Sequence, residues 1–514
     1  MGQQHRNWTT GLRDAGLMTV GLALSWGMVF PDLAIAQKFD PAPKQRIEGL
    51  YSENLDAASA FQQGVMAYDR QSFTQAETFL TKALTFDPYI GMAYYLLGNV
   101  YLQQDRLADA VSRYQEAVIL EPMLGAAYYN LGIAFYRQGS PQAAIAPFER
   151  VTLIEPKFAA GHYNLALAFD SIGQYDAASQ SYRQALLLDD QNAQAYYNLG
   201  LIVNRQGSAD EALGLFERAI ALEPEFSEAY YQQGLIYARR EQWEAARDAL
   251  GTSTALEPEN ALAQYNLGLV YLELDNYKAA ANRFERTVAL DPTNVNAYRQ
   301  LGAAQIETGN PEDAIATLQQ AASLLPNDAR TYYNLGIAYQ DAELYGEAIA
   351  NYRQALDLDP VFADAYYNLG VSLFENAYRE AVRYDPEEAE AGPAAIANFN
   401  ARTLDRYDNA VATLEEAMRL YEAEGNFERV EEINAYIQDT ILPTTLTPPV
   451  DPSQELDDVE IPVTPAPARP LPAPMPIPEP AADPEPVEPE SSFPSFPESE
   501  TQGSVFNDAL PPRR

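Results

Sequence analysis

Apolar and polar positions between residues 57 and 425 recur with a period of 34. In one period, Tyr128, Leu131, Gly132 and Phe135 fall at i, i+3, i+4 and i+7, which is one face of an α-helix. A turn at Gln138-Gly139 follows, then Ala143, Ala144, Phe148 and Val151 repeat the helical spacing until Glu155-Pro156 closes the unit. Each period therefore predicts a helix hairpin. Prolines keep the lattice at Pro88, Pro122, Pro156, Pro224, Pro258, Pro292, Pro326 and Pro360, with Asp190 in the one vacant place. Glycine keeps it from Gly64 to Gly370 with Ala166 in the gap, and alanine from Ala76 to Ala348 without a gap. The small slots have a steric reason, since a larger side chain would overpack the crossing of the two helices at about 1–3 kcal/mol.

These slots, with L-G-x-x-Y in the first helix and a closing proline at the same period, resemble the tetratricopeptide-repeat family. The resemblance implies an all-α fold, a right-handed superhelical solenoid in which each hairpin buries its apolar face on its neighbours. Nine contiguous repeats run to about 362. A tenth begins at Tyr366-Tyr367-Asn368-Leu369-Gly370, but its alanine slot, due at 382, reappears at Ala410. Its second half is thus displaced by an insertion at about 379–405, whose Glu387, Glu388, Glu390, Gly392 and Pro393 predict a solvent loop. Phe427, Val430, Ile433 and Ile437 then predict a capping helix over 426–440.

The ends of the chain read differently. Arg6 and Arg13 precede an apolar stretch at 15–30, and Ala34-Ile35-Ala36 offers a small-x-small cleavage site, so 1–36 predicts a signal peptide and an exported protein, in the periplasm or another extracytoplasmic compartment. Residues 37–56 form a lead-in to the solenoid at 57–425. From 441 to 514 the chain predicts a disordered proline-rich acidic tail, because residues 443–514 hold 20 of its 36 prolines and no core-forming pattern.

Composition narrows the chemistry. A formal charge of -40 opposes nucleic-acid and anionic-lipid binding. The chain has no cysteine and two histidines, and His162 stands in a slot that is tyrosine in neighbouring repeats, a packing position. No phosphate loop, nucleophile elbow or metal-ligand spacing occurs, so the sequence predicts no catalytic residue, no cofactor and no metal. It predicts a non-catalytic scaffold or assembly factor of the cell envelope.

The resemblance implies that two adjacent slots of each first helix line the inner surface of the superhelix. One carries Tyr95, Tyr129, Tyr163, Tyr197, Tyr231, Tyr265, Tyr333 and Tyr367, the other Asn130, Asn164, Asn198, Asn266, Asn334 and Asn368. Asn can donate to and accept from the backbone of an extended peptide, and Tyr gives contact area at low entropic cost, so these ladders are the expected partner-binding residues. The basic clamp of the family's peptide-binding co-chaperones is not matched, since its slots hold residues such as Ala126, Ala160, Gln194 and Glu228. Arg137, Arg205 and Arg239 share a slot near the end of the first helix, where they serve the helix C-terminus or an acidic ligand. The expected partners are proteins presenting extended segments, with no nucleic acid and no membrane span in the mature chain. The alternative is a structural component of an export, polysaccharide-secretion or pilus complex that packs through its convex surface.

Overall fold

The computed structural model describes residues 52, 54–384 and 393–446. The expected signal peptide, the lead-in through residue 51, the tail from 447 and residues 385–392 of the insertion lie outside the described residues. Within them the chain is a succession of antiparallel helix hairpins, beginning with Leu55–Asp69 and Phe73–Phe86 and reaching Ala329–Asp341 and Tyr345–Leu358 in the ninth repeat. We number the repeats 1 to 10 from residue 57.

The glycine slot sits where the two helices of a hairpin cross. A Cβ on Gly132 would lie 2.5 Å from the Phe148 ring, and one on Gly336 would lie 2.4 Å from the Tyr352 ring, so a side chain at either position must displace the opposing ring. The opposing aromatics Tyr114, Phe148, Tyr182, Phe216, Phe284 and Tyr352 are fully buried. Repeat 4, with Ala166 at the crossing, shows that one methyl is tolerated opposite Tyr182.

The turn between helices is built the same way nine times. Its residue has positive φ in repeats 1 to 9, at Gln71, Asp105, Gly139, Gly173, Gly207, Glu241, Asp275, Gly309 and Glu343. The following amide then reaches back to the first helix, as Arg106 N does to Tyr101 O at 2.8 Å, which satisfies a carbonyl left open by the helix end. The first helices start on a cap where the sequence allows one: Asn54, Asn192, Asn260 and Asn294 each accept from amides of the first turn.

First helices of successive repeats touch, Gly91–Gln103 against Gly125–Arg137 and the latter against Ala159–Asp170. Among the described residues the second helices make no comparable contact with one another. The first helices therefore form the inner wall of the array and the second helices its outer wall.

The described parts of the insertion in repeat 10, residues 379–383 and 393–405, are helical, while Glu387, Glu388, Glu390 and Gly392, which predict a loop, lie outside the described residues. The first helix lengthens to Ala363–Arg383 and the second starts early, as Pro393–Ala423. The reason is an apolar stripe that continues past the repeat, with Phe374, Ala377 and Ala381 buried and the rings of Tyr384 and Phe399 stacked at 3.9 Å. Beyond the capping helix Phe427–Tyr436, a π-helical turn Ile437–Ile441 and a short helix Leu442–Leu446 carry order past residue 441, because Ile437 and Ile441 are buried against the last hairpin.

Candidate protein-binding face

The two inner ladders are not laid open to solvent. Tyr129, Tyr163, Tyr265, Tyr333 and Tyr367 are buried, as are Asn164, Asn198, Asn266, Asn334 and Asn368. Tyr95, Tyr197, Tyr231 and Asn130 are half-buried and keep part of their surface accessible. The sequence placed all of these on the inner helix; the structure turns most of them into the seam between repeats.

The seam is held by a recurring bond. Asn164 Nδ2 donates to Tyr129 OH at 2.8 Å, Asn266 Nδ2 to Tyr231 OH at 2.8 Å, Asn368 Nδ2 to Tyr333 OH at 3.0 Å, and Asn198 Nδ2 to Tyr163 OH at 3.5 Å. Each joins residues 35 apart, the tyrosine slot of one repeat to the asparagine slot of the next. In the second and third repeats Asn130 Nδ2 instead donates to Asn99 Oδ1 at 2.8 Å, which also accepts from Tyr114 OH. Six of the tyrosine rings, those of Tyr95, Tyr129, Tyr163, Tyr197, Tyr265 and Tyr333, pack on the aromatic of their own second helix, as Tyr129 does on Phe148 with centroids 6.1 Å apart, and several also meet the residue that caps the next first helix, as Tyr333 does Phe362 at 4.7 Å. Burial pushes the Tyr129, Tyr265 and Tyr367 hydroxyls up to about 12. They are neutral donors and acceptors at any ordinary pH.

Repeat 8 breaks the ladder. Arg299 stands in the tyrosine slot, Gln300 in the asparagine slot, and the Arg299 guanidinium pairs with Asp328 at 2.7 Å while also donating to Asn296. Both partners are deeply enclosed, with side chains 9% and 15% exposed. With no asparagine arriving from repeat 8, the buried Tyr265 hydroxyl has no hydrogen-bond partner among the described residues.

Besides these half-buried residues, the inner wall exposes a charged row along its rim, where the first helices end. The slot of Arg137, Arg205 and Arg239 continues as Glu273, Glu307, Asp341 and Glu375. This slot is thus cationic in repeats 3, 5 and 6, with Ser171 in repeat 4, and anionic over repeats 7 to 10. These acidic members were legible by carrying the arginine slot forward one period at a time. Arg137 pairs with Asp105 at 2.7 Å. Arg205 has Gly173 at the equivalent place, lies over the Tyr175 ring at 4.9 Å, and lines with Gly173, Gln174 and Asp176 an open cavity of about 510 Å³. Burial, with Glu241 and Asp275 nearby, raises the Glu273 carboxyl above its usual range. His162 is half-buried, its Nε2 3.1 Å from the Pro156 carbonyl. No described helix is long and apolar enough to cross a membrane.

Residues 95–158, 163–228 and 271–335 match the family description tetratricopeptide repeat, and 344–376 match TPR repeat. Over these stretches the helix hairpins are tetratricopeptide repeats. Residues 205–287 also match the description of subunit 3 of the anaphase-promoting complex, or cyclosome. Among solved structures, the tetratricopeptide array is similar to YrrB, described as a TPR protein with an unusual peptide-binding site, at 24% identity over 35% of this chain and 94% of that one, TM-score 0.34. It is similar to MamA from Desulfovibrio magneticus RS-1 at 26% identity over 33% and 96%, TM-score 0.31. The pilF protein of Pseudomonas aeruginosa follows at 21% identity over 43% and 96%, TM-score 0.35. No curated protein matches the chain.

Proposed function

We propose that this chain is a non-catalytic scaffold of the cell envelope that holds an extended segment or a helix of a client protein along its inner wall. The observation that carries the reading is the rim, cationic on one half and anionic on the other. A segment with acidic residues towards one end and basic residues towards the other would lie along it in one direction only, since the reverse docking sets like charges together. The half-buried Tyr95, Tyr197, Tyr231 and Asn130 would meet the client directly, while the buried tyrosines and asparagines would hold the wall on which it rests. Export follows from the basic and apolar N-terminal pattern alone.

The test is a display of random 15-residue peptides against the full chain. Recovered sequences should be enriched in segments with charge of opposite sign at the two ends, and Arg205→Glu with Arg239→Glu should weaken their binding by about tenfold or more. Recovery without charge bias, or binding indifferent to that double reversal, would sink the proposal.

A further inference from the structure

The outer wall carries a feature that the groove reading does not use. Ile119, Leu153 and Leu187 occupy one slot near the end of the second helix in repeats 2, 3 and 4, and they are 70%, 71% and 78% exposed. The same slot holds Ala221, Ala255, Ala289, Ser323 and Asp357 in repeats 5 to 9, so the packing of a repeat does not require a large apolar residue there. Two turns earlier on the same helix face stand Ser112, Ala146 and Gln180, all uncharged and exposed. Three adjacent repeats thus present an apolar ridge beside an uncharged strip.

We propose that this ridge is the contact between two copies of the chain, joined about a two-fold axis that runs along the second helix of repeat 3 and passes by Leu153. Three observations select a second copy. First, the slots are spaced by 34 residues on both sides of Leu153, so docking the two arrays in opposite directions sets Ile119 of one copy against the partner's Leu187 and Leu153 against itself, which is the self-complementarity an isologous interface needs. The strip beside the ridge obeys the same operation: Ala146 meets its own copy, and the longer Gln180 meets the short Ser112. Each pair therefore includes at least one small side chain, which lets the outer helices approach to the usual 8–10 Å. Second, the three ridge side chains with Met123, itself 68% exposed, present on the order of 400–500 Å² of apolar surface. That is more than half of the roughly 800 Å² each partner gives to a standard interface, and the aliphatic stems and the strip around the ridge supply the remainder. Third, two chains of charge -40 repel, and the outer helices that carry the ridge are close to neutral. Between ridge and strip, Glu116 and Glu149 are offset by Arg150 and Arg183, and elsewhere on these three helices Asp109 and Asp176 stand against Arg113. The surface is opposite the inner wall, so its assignment does not rest on the proposed function.

Sedimentation equilibrium on the full chain tests it. The wild-type chain should be a dimer, and Leu153→Glu, which places two carboxylates at the axis, should weaken association about a hundredfold. Ala221→Glu, at the same slot one repeat beyond the ridge, should leave association unchanged, and helicity by circular dichroism should be unaltered in both. Because the chain has no cysteine, single-cysteine variants report the geometry. Ala146→Cys should cross-link to its own copy under oxidation, whereas Ser112→Cys should cross-link only when mixed with Gln180→Cys. A monomeric wild type at high micromolar concentration, a dimer indifferent to both Leu153→Glu and Ile119→Glu, or cross-linking without this pattern would overturn the proposal.

Discussion

Repeats 3 and 8 occupy the same period and close their seams with different chemistry. In repeat 3 a neutral hydroxyl, Tyr129 OH, accepts from the incoming Asn164, and a phenylalanine from each side holds the ring in place. In repeat 8 the same slot holds Arg299, locked to Asp328 with both charges nearly out of water. A neutral bond of this kind contributes about 1 kcal/mol net, and its loss harms only the atoms directly involved. A buried ion pair gives little net stability while intact but leaves an uncompensated charge when broken. The array is therefore uniform in geometry and uneven in sensitivity.

The widest separation between the two seams should come from Asp328→Ala. Arg299 would be left buried without a counter-ion, and urea unfolding should show a loss of about 3–5 kcal/mol, which an Arg299→Met, Asp328→Leu double variant should largely recover. A loss below that of a neutral seam bond would remove the distinction between the two.

A middle effect belongs to Asp170, at the end of the first helix of repeat 4, whose seams are both neutral. Burial pushes its carboxyl up to about 6, against a smaller opposing pull from Arg205 of the next repeat; Tyr136 of the preceding repeat and Tyr163 and Tyr182 of its own also face it. A carboxyl whose folded value lies above its unfolded one binds its proton more tightly when folded, so its cost is absent below about pH 4 and complete above about pH 6. Asp170→Asn should accordingly stabilise by on the order of 2–3 kcal/mol at pH 8 and change little at pH 4, read as unfolding free energy across that range. A pH-independent effect would show that the carboxyl is solvated.

The smallest effect is expected from Asn164→Ala, which leaves the Tyr129 hydroxyl without its donor and opens a small void. The loss should be about 1–3 kcal/mol, and the Tyr129→Phe, Asn164→Leu pair should restore most of it. An unchanged midpoint together with lost peptide binding would return Asn164 to the exposed, partner-facing role that its slot first suggested.

Much of this was legible in the sequence, because a hairpin that recurs every 34 residues has only a few small, aromatic and closing positions that sterics permit. Gly132 opposite Phe148 and Pro156 at the end of its unit follow from that alone. The ladders were placed on the correct helix but not at the correct depth. Helical spacing tells which face Asn164 shares, whereas its burial depends on how closely the next hairpin approaches, and that distance has no local signature. The offset of 35 between the tyrosine and asparagine slots was the available signal, since it pairs one repeat with the next. The lengthened helices of repeat 10 were hidden by the acidic and proline-containing stretch at 385–393, which obscured the apolar stripe on either side of it.

The seam bond has a further consequence, for how such a chain can change its length. Its donor arrives from the following unit and its acceptor from the preceding one, so a repeat that uses both slots, as repeat 4 does through Tyr163 and Asn164, is a connector with two matching ends. A chain lacking 159–192 would bring Asn198 to Tyr129 and close the gap with the bond already in use, and a duplicated block would do the same. Repeat 8 is not interchangeable in this way, because Arg299 depends on Asp328, the N-cap of repeat 9's first helix. Duplication and loss can therefore pass freely through the neutral stretch of the array and halt at its ionic joint.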